Sequence, residues 1–172
     1  TLEGVKAIVI AVAAFTPKLI RKLKLIEQDS VLMALDEARK MGVSRIVYIS
    51  VYDIREDWLR ELKIDFESAG IKQAVETYLA RSDFNWTVLG APPTMGIFFS
   101  MIRGSRMIVP GGGPPALPTV SPADVGEIAA QTVLRDDLRG ERIRMTGPEA
   151  ISFPEAAKRI SAVTGKEIRF QK

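Results

Sequence analysis

The chain contains no cysteine and no histidine. Disulfides, Cys/His zinc sites, thiol nucleophiles and imidazole-based triads are therefore excluded, and acid or base work falls to carboxylates, lysine or tyrosine. Long apolar runs are scarce as well. The longest, "AIVIAVAAF" at 7–15, falls well short of the ~20 residues that cross a bilayer, and no basic segment with a small-residue cleavage site precedes it. A soluble cytoplasmic protein with no membrane partner is expected. Neither sign of charge dominates: 24 Lys and Arg face 21 Asp and Glu, a formal net charge of +3. The basic residues are interspersed with acidic ones, which argues for solubility and against a nucleic-acid partner. Even "KLIRKLK" at 18–24 is followed by Glu27 and Asp29, and reads as a solvated face.

What is present suffices for one folded unit. With 172 residues, 47% of them hydrophobic, a single domain can bury a sizeable core. Residues 5–13, "VKAIVIAVA", form a short β-branched run of the kind buried on both faces of a sheet, as do "RIVYIS" at 45–50 and "WTVLG" at 86–90. Between them lie helical periods: Val31, Leu32, Leu35 and Ala38 after a cap at Asp29 or Ser30, stopped by Gly42, then Ile71, Ala74, Val75, Tyr78 and Leu79. This alternation predicts right-handed crossovers and a parallel sheet. Two capping boxes, "SPAD" at 121–124 and "SFPE" at 152–155, open further helices, the second closed by Gly165. "RIRMTG" at 142–147 reads as another strand. The charged stretch 52–70 suits a long loop with a helical turn, and "GGGPPALP" at 111–118 a turn-rich connection.

In an open parallel sheet, ligands bind beyond the carboxyl ends of the strands. That rule selects three loops: Ala13, Ala14 and Phe15; Ser50, Val51 and Tyr52; and the stretch from Gly90 to Met95. A dinucleotide also needs a glycine-rich turn between the first strand and its helix. Gly111, Gly113 and Ala116 have the spacing, but Pro114, Pro115 and Pro118 forbid the helix that must follow. Lys72 sits early in its helix, where a cation opposes the macrodipole. An i,i+4 pair with Glu76 is the bland explanation, and a functional one stands beside it. Phe98, Phe99, Met101 and Ile102 fit either core or an apolar cavity wall.

Four stretches together, "GVSRIVYIS", "KQAVETYLARSDFNWTVLGAPPTM", "PTVSPADVGEIAA" and "RMTGPEAISFPEAAKRISAVTGKEI", resemble in order and spacing the NmrA-like branch of the atypical short-chain dehydrogenase/reductases. The resemblance runs over essentially the whole chain. It implies a doubly wound, mainly parallel Rossmann-like α/β domain over 1–172, with 94–120 and 142–172 forming a small substrate-side region. It implies NADP or NAD as cofactor and a small organic substrate. "TLEGVKAIVIAVA" then matches the family's fourth strand, so that the glycine-rich phosphate loop lies in roughly 60 residues or more upstream.

On this resemblance Lys72 matches the lysine that hydrogen-bonds the nicotinamide ribose and assists proton transfer. Ser68 occupies the position of the usual tyrosine and supplies no phenol. Ser50 and Val51 match the strand end near the catalytic serine. Ala91, Pro92, Pro93 and Thr94 match the segment against the nicotinamide, with Gly90 in place of a frequent arginine. Three functions stay open: a hydride-transferring oxidoreductase, a non-catalytic NAD(P)H sensor reporting to a protein partner, and a fragment that self-associates through an open sheet edge. A homodimer is likewise open, and no metal is expected.

Overall fold

The computed structural model describes residues 2–14, 16–52, 67–113 and 115–172. The three β-branched runs become parallel strands: β1 (Ala7–Ile10), β2 (Arg45–Val51) and β3 (Asn85–Ala91). A fourth, β6 (Glu141–Arg144), pairs parallel with β3, giving the order β1-β2-β3-β6. Because side chains alternate along each strand, β2 feeds two layers. Ile46 and Tyr48 join Val31, Leu35, Val75 and Leu79 in one apolar cluster, against α2 (Ser30–Lys40) and α3 (Glu67–Ala80). Val47 and Leu89 join Ala129 and Met145 in another, against α5 (Pro122–Val133). Helices thus cover both faces, and the doubly wound α/β architecture is as expected.

A third cluster stands apart from the sheet. Phe98, Met107, Val109, Leu117, Ile151 and Phe153 form it, with the Phe98 and Phe153 rings meeting edge to face at 5.3 Å between centroids. It gathers α4 (Gly96–Ser100), α6 (Phe153–Thr164) and a small sheet of β4 (Ile102–Arg103), β5 (Arg106–Ile108) and β7 (Arg169–Gln171). Phe98 is core here, whereas Phe99 is 60% exposed. One link to the main sheet is a parallel bridge between Thr94 and Val120.

Local chemistry explains most boundaries. Ser121 caps α5 by accepting from the Ala123 amide, and Ser152 caps α6 by accepting from Glu155. Gly165 ends α6 in the left-handed conformation, φ 68°, which a side chain would resist.

Three expectations need correction. The strand expected over 5–13 spans only Ala7–Ile10 and, among the described residues, pairs on one side alone, with Val9 43% exposed. Asp29 makes no side-chain cap, because the chain enters α2 already helical through a π turn, Leu25–Asp29. The "RIRMTG" strand ends at Arg144. The stretch at 18–24 is solvated as read, apart from buried Leu23. Phe15, Pro114 and most of the charged loop (53–66) lie outside the described residues, as does the side chain of Ser68.

Candidate functional site

Parallel pairing sends the carboxyl ends of β1, β2 and β3 to one edge. Ser50 is in register with Gly90 and Val51 with Ala91, and the Tyr52 amide donates to the Ala91 carbonyl at 2.6 Å. The three loops selected from the sequence therefore meet there. Ala13 and Ala14 follow β1, Ala91 ends β3, and Pro92, Pro93 and Thr94 carry the chain away, with the Pro93 carbonyl accepting from Val120 at 3.3 Å.

Lys72 reaches this edge from α3. Its ammonium donates to the Val12 carbonyl at 2.9 Å and lies 3.3 Å from Glu27 Oε2. The Tyr48 ring on β2 faces it, with 5.6 Å from nitrogen to ring centroid. Lys72 is 6% exposed and Glu27 2%. The i,i+4 pair with Glu76 does not form, because Glu76 turns the other way. It accepts from Ser50 Oγ and holds Arg142 at 2.8 Å, and Arg142 also donates to the Val51 carbonyl at 2.9 Å.

The two carboxylates flank Tyr48. Its hydroxyl is buried without a hydrogen-bond partner among the described residues. Burial first, then Glu27 and Glu76, push its pKa well above the ordinary value.

Gly90 has a steric reason. A Cβ there would stand 2.9 Å from Arg142 Nη1 and 3.1 Å from the Val51 carbonyl. The missing side chain makes room for a guanidinium arriving from the neighbouring strand. Beside it Arg144 stacks over the Tyr52 ring at 5.3 Å.

Sequence reasoning missed Glu27, Glu76 and Arg142 as members of the site. Glu27 did leave a signal. It falls four residues after Leu23 and four before Val31, so it occupies a buried apolar stripe that continues to Leu35. A carboxylate on such a stripe needs a buried partner, and among the described residues it meets the Lys72 ammonium and the Ala14 amide, which donates to Oε1 at 2.7 Å. The π turn carries it, a distortion that recurs at functional sites. Among the described residues no cluster of acids could hold a metal ion, and no helix is long and apolar enough to cross a membrane.

Solved structures share this architecture. A nucleoside-diphosphate-sugar epimerase from Staphylococcus aureus superposes with a TM-score of 0.74 at 17% identity, over 99% of this chain and 57% of its own. The Fold is Rossmann-like. Triphenylmethane reductase of Citrobacter sp., complexed with NADP(H), gives a TM-score of 0.70 at 17% identity over 99% of this chain and 56% of its own. By sequence, the uncharacterized oxidoreductase YesF of Bacillus subtilis (strain 168) is 27% identical over 143 residues, 80% of this chain and 46% of that protein. The chain thus spans about half the length of the relatives it matches. No family model matches it.

Proposed function

We propose that the intact protein is an NmrA-like NAD(P)-binding oxidoreductase, passing a hydride between NAD(P)H and a small organic acceptor. The observation that carries this reading is the Lys72 ammonium beside the tips of the parallel strands. One of its three donors goes to the Val12 carbonyl, and Glu27 balances the charge from 3.3 Å, which leaves donor capacity for a ribose hydroxyl. The tips suit the flat nicotinamide end: Ala13, Ala14, Ala91 and Pro92 are small or rigid. These residues fit the ribose-nicotinamide half of NAD or NADP, whereas no glycine-rich turn for a pyrophosphate follows β1.

When bound, the reduced dinucleotide supplies the hydride. The chain's own contribution is to orient it. Lys72 anchors the ribose, Ser50 and Val51 line the edge, and Ala91, Pro92, Pro93 and Thr94 lie against the ring. Residues 94–120 and 142–172 form the acceptor side.

Calorimetry of the intact protein with NADH and NADPH tests the reading, followed by oxidation assays with quinone and carbonyl panels. Saturable binding of one of the two is expected, and absence of binding to both sinks the proposal. Ser68, where the usual tyrosine would stand, favours a second reading, a dinucleotide sensor without turnover. Oxidation at ordinary enzymatic rates removes that one.

A further inference from the structure

We infer that Glu27 is a positioning residue for the dinucleotide, acting through Lys72, so that the ribose anchor is a buried carboxylate–ammonium pair and not a lone lysine. The inference rests on the function proposed above.

A lysine at the foot of a cleft has a long, mobile stem, and burial works against its charge. Here both problems meet one solution. Glu27 Oε2 is 3.3 Å from the ammonium, while Oε1 accepts from the Ala14 amide at 2.7 Å. The same ammonium donates to the Val12 carbonyl at 2.9 Å. The loop after β1, the π turn before α2 and the middle of α3 are thereby tied at one point. Glu76, the acid on the lysine's own helix, is engaged with Ser50 and Arg142, and the Tyr48 ring offers only its face. Glu27 is thus the carboxylate that neutralises Lys72 among the described residues.

Two functions follow from one side chain. The carboxylate keeps the ammonium charged and aimed at the strand tips. It also holds Ala13 and Ala14 in the path the nicotinamide ribose would take, through the Ala14 amide. Glu27→Gln separates these roles, since an amide oxygen still accepts from Ala14 but no longer balances the lysine.

The test is a double-mutant cycle in the intact protein, reading the dissociation constant of NADPH or NADH, whichever the wild type binds, by the fluorescence of the bound nicotinamide. Lys72→Met is expected to weaken binding about 10- to 100-fold, the worth of one hydrogen bond from a charged group. Glu27→Gln is expected to weaken it to a similar degree, and the double variant no further than Lys72→Met alone. Where an acceptor is turned over, the loss in Glu27→Gln falls on KM for the dinucleotide and spares kcat, a split that mere damage to the fold does not produce.

Should Glu27→Gln fail to fold, the comparison of Lys72→Met with the double variant decides, because the double variant removes both members of the Lys72–Glu27 pair together. Equal affinities support the inference. A double variant much weaker than Lys72→Met overturns it, as does a folded Glu27→Gln protein that binds like the wild type, or a Lys72→Met protein that does so. A wild-type protein that binds neither nucleotide is a different failure, that of the proposed function itself.

Discussion

At the scale of single residues, two buried hydroxyls stand without partners among the described residues, Tyr48 and Thr119. A hydroxyl that left water for nothing costs stability, so an isosteric apolar replacement is neutral or favourable. Thr119→Val is expected to raise the thermal midpoint, by the equivalent of about 1 kcal/mol, in a calorimetric scan. Tyr48 makes a pH prediction besides. Its folded pKa lies above the unfolded value near 10. The phenol therefore stays protonated in the native state while the unfolded chain releases its proton, and stability is full below pH ~10 and falls as pH rises beyond it. Denaturation midpoints between pH 9 and 11 are expected to drop less steeply in Tyr48→Phe than in the wild type. Gly147 is the opposite case, a site with no room. A Cβ there would stand 1.8 Å from the Thr119 carbonyl oxygen, so Gly147→Ala is expected to destabilise by ~1–3 kcal/mol in urea titration.

At the scale of elements, Arg45 shows how one side chain fastens a helix to a sheet. From the first residue of β2 it donates to the carbonyls of Thr132, Val133 and Arg135, at the end of α5, and to Asn85 and Thr87 on β3. The Thr132 and Val133 carbonyls belong to the last turn, where intrahelical donors run out. Desolvation lowers its pKa from the ordinary arginine value, and Asp136 partly opposes this. Arg45→Met keeps the stem but removes the buried guanidinium and the bonds by which it ties α5 to the sheet, so a loss of roughly 2–4 kcal/mol is expected by chemical denaturation. Earlier hydrogen exchange in the last turn of α5 than elsewhere in that helix would accompany it.

Elements of this kind were largely legible in the sequence. The β-branched runs and the two capping boxes carry their own geometry within a few residues, and they fold where the pattern puts them. The ion pairs were not legible, because Glu27 and Lys72, or Glu76 and Arg142, lie far apart in the chain and meet only once the crossovers are made. Spacing within a helix suggested Glu76 for Lys72. The fold supplied a better-buried acid from another element.

Over the whole molecule, the sheet with its flanking helices and the cluster around Phe98 and Phe153 bury their apolar surfaces separately. The strand alternation announced the first unit. The second, built from two- and three-residue strands, is too short in period to be read from pattern and depends on contacts between 96–120 and 150–171. The two are joined where the Thr94–Val120 bridge follows the tip of β3 and where Gly147 passes against Thr119. That joint has a mechanical consequence. It lies just past the edge where the strands end, so a side chain added at Gly147 would push the second unit away from the strand tips while every rung of the parallel ladder stayed intact.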